Sequence, residues 1–218
     1  MEDVPSATRR ALTACFRWIP ELDLSGLDHV RLLSTINDLP SEPDWWTKMC
    51  DKDASWVKAV YRRKFENSPA CIILFIDAIY LPLETFIRFR PITTLFLSRI
   101  VAHEVGHHLI ATRGFIFSSD EKYGADDYEE EMANRYAFQV IQRMKSKWYY
   151  RVADRVLKFF SQVHFEEGRQ NWRQKHYEAA AACWYKAWLL NVDDTKAGDL
   201  YWEAKSRKKE TSDKNGVT

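Results

Sequence analysis

His103-Glu104-Val105-Gly106-His107 decides how this chain is read. It lies within the apolar run Thr94 to Thr112 and has the form H-E-x-x-H. On a helix, residues i and i+4 share a face, so His103 and His107 can reach one metal ion together. Glu104 stands beside the same point and can take a proton from a metal-activated water. The alternative, two incidental histidines on an ordinary helix, is the weaker reading once the residues downstream are considered.

Zinc in a catalytic site takes three protein ligands and leaves one position open. A third histidine in the spacing H-E-x-x-H-x-x-G-x-x-H is excluded, because Ile110 and Arg113 stand where Gly and His are needed. The remaining candidates are Asp120, Asp126, Asp127, Glu129, Glu130 and Glu131. Glu130 is the best placed. It opens Glu130-Glu131-Met132-Ala133-Asn134, and Glu130 and Asn134 lie one turn apart on a helix. Glu130 can bind the ion, while Asn134 can accept a hydrogen bond from the imidazole nitrogen turned away from it. Ala133 is small enough to let two helices approach closely. The other glutamates read as a solvated helix start favoured by the dipole.

H-E-x-G-H followed by E-x-x-A-N-x-(aromatic)-A resembles the gluzincin metallopeptidases, and most of all the ImmA/IrrE type. The residues carrying the resemblance are His103, Glu104, Gly106, His107, Glu130, Ala133, Asn134, Tyr136 and Ala137, within about Tyr61 to Met144. The resemblance implies an α+β, zincin-like domain: a short twisted sheet, a helix with the histidines and a second helix with the glutamate. It also implies a zinc-dependent peptidase that holds an extended protein or peptide substrate along an edge strand, for which Ala70 to Tyr80 is the candidate. The helix-turn-helix and sensor domains common in that family are not seen here, so regulatory function does not carry over. Asp120-Glu121-Lys122-Tyr123-Gly124 resembles the D-x-x-Y-G of aspartate-liganded zincins but lacks the preceding Gly-Thr. Asp120 therefore remains an alternative third ligand. The oxyanion of peptide hydrolysis needs a stabiliser besides the metal; His108, Arg113 and Tyr123 are the nominees, although His108 also reads as a helix-surface residue and Arg113 as a dipole partner.

The rest of the chain is expected to support this helix. Residues 1–22 read as a helical extension stopped by Pro20. Residues 23–147 read as the peptidase domain, with strands near Leu24–Asp38, Ser55–Phe65 and Ala70–Tyr80, the last two joined as a hairpin through Asn67-Ser68-Pro69. Thr93 or Thr94 is expected to cap the histidine helix, which ends near Gly114, and a second helix to span about Asp127–Lys147. Residues 148–205 are helical, interrupted at Gly168. Their segment Tyr177, Ala180, Trp184, Ala187 and Asn191 to Asp194 resembles a tetratricopeptide repeat. One repeat is too short for a solenoid, which favours a helical cap. A protein partner bound through these helices is the alternative, and exposure of Trp172, Trp184, Trp188 and Trp202 would favour it. Residues 206–218 are expected to be a disordered tail.

Composition narrows the class. A content of 46% apolar and 14% aromatic residues, in 218, describes a folded chain. The net charge of +1 gives no general nucleic-acid binder. Cys15, Cys50, Cys71 and Cys183 have no C-x-x-C or metal-ribbon spacing and read as reduced thiols. The start Met1-Glu2-Asp3 opens no signal core, and the apolar run Cys71–Leu83 is too short for a bilayer. A cytoplasmic protein with no membrane contact is expected. A non-catalytic, zincin-like scaffold is the rival function.

Overall fold

The computed structural model describes residues 6–35, 38, 59–64, 69–80, 89–113, 125–191 and 195–215. The chain is α+β and mostly helical, and it divides into two compact units, 1–150 and 151–218. No helix among the described residues is long and apolar enough to cross a membrane.

In the first unit, α1 (Ser6–Phe16) is followed by a 3-10 turn (Glu21–Leu24) and β1 (Leu27–Leu33). Next come β2 (Ala59–Arg62), β3 (Ala70–Phe75), the short α2 (Ile76–Tyr80), α3 (Arg90–Arg113) and α4 (Ala125–Met144). The sheet order is β1-β3-β2. β3 runs parallel to β1, with Val30 opposite Ile72, and antiparallel to β2, with Tyr61 opposite Ile72. All six β3 residues are buried, as a central strand requires. Cys71, Ile73 and Phe75 cluster with Leu33, Val60 and Ala78 on one face. Ile72 and Leu74, which alternation puts on the other face, are equally buried.

Two expectations about this strand fail. It ends at Phe75, and Ile76–Tyr80 turn into helix, with the Asp77 N–H on the Ser34 carbonyl at 3.0 Å. A short apolar run does not by itself separate buried strand from buried helix. Ala70–Tyr80 is also not an edge. Among the described residues the edges are β1 and β2, and β2 is the edge strand packed against α3.

α3 is buried almost all round, from Ile92 to Leu109, because it packs against α4, α1, β2 and β3. Its start differs from the expected Thr93 or Thr94 cap. The N–H groups of Ile92 and Thr93 both bond the Phe89 carbonyl, at 2.9 and 3.1 Å, and Pro91 sits in the first turn where no N–H is needed. Thr93 and Thr94 are buried inside the helix. α1 joins this core, and the Cys15 thiol bonds the Thr94 carbonyl at 3.3 Å. Burial pushes that thiol up to about 12.

α5 (Trp148–Arg173) begins in the first unit and continues into the second, which adds α6 (Tyr177–Leu190) and α7 (Thr195–Asn215). Gly168 does not interrupt α5. A Cβ there would lie 2.4 Å from the Trp184 Nε1, so the glycine makes room for the indole. Trp184 is buried and donates to the Phe165 carbonyl at 3.1 Å. Trp172 and Trp188 pack against the same cluster, while Trp202 is 48% exposed. α7 runs on to Asn215, through most of the segment expected to be disordered; its Lys, Arg and Glu residues are good helix formers.

Candidate metal centre

α3 carries His103 and His107 one turn apart, and α4 carries Glu130 and Asn134 one turn apart. The helices cross where Gly106 meets Ala133. A Cβ on Gly106 would lie 2.6 Å from the Ala133 Cα. This near-contact of backbones brings the two pairs face to face.

The imidazole Nε2 atoms of His103 and His107 are 3.1 Å apart. Glu130 Oε2 lies 3.4 Å from the first and Oε1 3.3 Å from the second. One ligand atom from each residue falls within 4.8 Å of the others, so the group can hold a metal ion. The opposite nitrogens are both engaged. His103 Nδ1 donates to Asn134 Oδ1 at 3.0 Å, and His107 Nδ1 donates to Glu129 Oε1 at 3.3 Å. Both rings thereby donate from Nδ1 and turn Nε2 toward the shared point; in a protonated ring Nε2 carries a second hydrogen and donates to Glu130.

Charge distribution follows from this packing. Hydrogen bonds from both histidines hold Glu130 well below the usual carboxylate range, outweighing its partial burial. Burial alone would lower His107; the hydrogen bond to Glu130 and the charges of Glu104 and Glu130 outweigh it and raise the ring above its ordinary value. Glu104 is raised by burial, opposed by the two histidines and by a hydrogen bond from the Tyr61 backbone N–H.

Two oxyanion nominees have other work. His108 is fully buried rather than on the helix surface. Its Nε2 donates to the Ser25 carbonyl at 2.9 Å and its Nδ1 lies 3.1 Å from the Tyr61 hydroxyl, which donates to it in the neutral ring. Arg113 donates to Asp23 Oδ1 at 3.0 Å and to the Leu22 carbonyl at 2.6 Å, fastening the end of α3 to the 3-10 turn. Tyr136 donates to Asp23 Oδ2 at 2.8 Å from α4. Tyr123 and the alternative ligand Asp120 lie outside the described residues. Glu131 points to Arg135 on its own helix.

Sequence reasoning missed Arg63 and Tyr61, and it had Glu129 only as a candidate ligand or a solvated acid, not as the partner of His107. Arg63 Nη2 reaches both oxygens of Glu129, at 2.9 and 3.0 Å, across 66 residues of chain. The run of three glutamates at 129–131 was the only local hint.

Comparison with protein-family models, with curated proteins and with solved structures finds no match.

Proposed function

We propose that the protein is a zinc-dependent peptidase of zincin-like architecture, acting on protein or peptide substrates. The observation that carries this reading is the meeting of His103, His107 and Glu130 beside a buried carboxylate, Glu104. Two imidazoles and one carboxylate are a donor set that catalytic zinc uses, and their H-E-x-x-H spacing supports zinc here. The two imidazole Nε2 atoms are 3.1 Å apart, and each lies 3.3–3.4 Å from a different oxygen of Glu130, so all three residues turn donor atoms toward one place.

When bound, zinc would acidify a water and polarise the scissile carbonyl. Glu104 takes the proton of the attacking water and delivers it to the leaving amine. Its burial favours the protonated form it must hold between those steps, while the Tyr61 N–H and the histidines favour the carboxylate it starts from. Among the described residues β2 is the edge strand beside α3, and it takes the place of Ala70–Tyr80 as our candidate for the strand along which an extended substrate lies. Cys15, Cys71 and Cys183 form no disulfide with one another.

Glu104→Gln tests the reading. The variant is expected to keep its metal and lose about 10²–10⁴-fold in chelator-sensitive hydrolysis of a peptide library. Undiminished hydrolysis with metal bound would sink the mechanism. His103→Ala should lose the metal by elemental analysis. The second reading, a zincin-like scaffold binding a protein partner, draws on the exposed indole of Trp202. It is favoured if the wild type binds zinc and cleaves nothing.

A further inference from the structure

The two histidines facing the metal position are supported unequally. His103 leans on a neutral amide, Asn134, and His107 on a carboxylate, Glu129. Glu129 and Glu130 are neighbours on α4, about 100° apart around the helix axis. They meet the His107 ring from opposite sides, Glu130 at Nε2 and Glu129 at Nδ1. What keeps Glu129 on its side is Arg63, whose Nη2 lies 2.9 and 3.0 Å from its two oxygens. Arg63 follows directly on β2, the strand whose Tyr61 N–H bonds Glu104.

We propose that Glu129 is a positioning residue for the metal centre, held in place by Arg63. Accepting the Nδ1 hydrogen fixes the tautomer of His107, aims Nε2 at the ion and makes that nitrogen a stronger donor. Arg63 engages both oxygens of the carboxylate, so Glu129 supports the ring and does not compete with Glu130 as a ligand. The pair also fastens β2 to the metal centre from outside, as Tyr61 fastens it to Glu104 from inside. The inference rests on the reading of His103, His107 and Glu130 as a metal site.

An ordinary surface ion pair would leave a different signature. Arg63 is 62% exposed and Glu129 28%, and an exposed pair contributes little to folding stability. The effect therefore belongs in metal affinity, not in unfolding temperature. The experiment is competition for Zn2+ between the metal-stripped protein and a chelator of known affinity, with the visible spectrum of the Co2+ form as a second readout. Glu129→Ala is expected to weaken Zn2+ binding by about 10–100-fold and to alter the Co2+ bands. Glu129→Gln keeps an accepting oxygen and should lose less, and Arg63→Ala should fall between it and wild type. Unfolding of the metal-free Arg63→Ala protein should be unchanged. Zn2+ affinity within about threefold of wild type in Glu129→Ala, with unchanged Co2+ bands, overturns the inference while leaving the metal site standing. If Glu129→Ala does not fold, wild-type affinity in both Glu129→Gln and Arg63→Ala overturns it instead. A wild type that binds no Zn2+ removes the metal site and the inference together.

Discussion

Gly106 and Ala133 meet backbone to backbone: a Cβ built on Gly106 would lie 2.6 Å from the Ala133 Cα and 3.1 Å from its carbonyl oxygen. Backbone cannot move aside as a flexible side chain can, so Gly106→Ala must spread α3 from α4. We expect a loss of about 1–3 kcal/mol in denaturant unfolding, in the range of over-packed cores. We also expect weaker zinc binding, because His107 and Glu130 sit on the helices being separated. Unchanged stability and metal content would contradict this account of the crossing.

His108→Ala separates scaffold from chemistry. The substitution removes the donor to the Ser25 carbonyl and the acceptor of the Tyr61 hydroxyl, and leaves a cavity where a fully buried ring stood. The expected cost is about 1–3 kcal/mol of stability. Hydrolysis measured well below the unfolding temperature should fall far less than in Glu104→Gln. A large fall in turnover with stability intact would return His108 to the oxyanion nominees.

Zinc affinity should depend on pH through His107. The metal-free ring is held above its ordinary value, so it keeps its proton to higher pH than a free imidazole. An ion must displace that proton. Affinity is then expected to rise by up to about tenfold per pH unit and to level off above the folded-state value. The stability of the metal-free protein runs the other way. A raised histidine contributes fully below its unfolded value of about 6.5, and the contribution fades as pH rises through the folded value. Glu130, held low, contributes above the usual carboxylate range and loses that contribution only in acid. Chelator competition between about pH 5.5 and 8.5 checks the first trend, and thermal unfolding without metal checks the second.

Lys175→Gly should stabilise the second unit. Lys175 ends α5 with φ of +62°, the left-handed conformation that suits glycine. The N–H of His176 bonds the Asn171 carbonyl at 2.9 Å and that of Lys175 the Trp172 carbonyl at 2.9 Å, which together make a Schellman cap. Removing the side chain relieves about 1 kcal/mol of strain without breaking either bond. Chemical denaturation should show a gain; a loss would mean that the lysine side chain matters more than its backbone.

The local, periodic features were legible in the sequence, and those set by distant packing were not. His103, Glu104 and His107 could be placed on one helix because i and i+4 spacing is local. Asn134 followed from the same rule on the second helix, and Ala133 was assigned a close approach whose partner, Gly106, only the fold supplies. The end of β3 was missed because Cys71–Tyr80 is apolar except for Asp77 and has no period to break. Gly168 looked like an interruption, since nothing nearby announces that Trp184 needs the room. His108 looked exposed because its partners, Ser25 and Tyr61, lie far upstream. Glu129 looked solvated for the same reason, with Arg63 far upstream just past β2.

β2 is only four residues long, yet Tyr61 and the adjoining Arg63 each meet the site at a fixed position: the Tyr61 hydroxyl at His108, its N–H at Glu104, and the Arg63 guanidinium at Glu129. A one-residue slip turns every side chain of a strand to the opposite face. Deleting or inserting a single residue between 59 and 63 would release all three at once, whereas any point substitution there releases at most two. The length of this strand is therefore under tighter constraint than its composition.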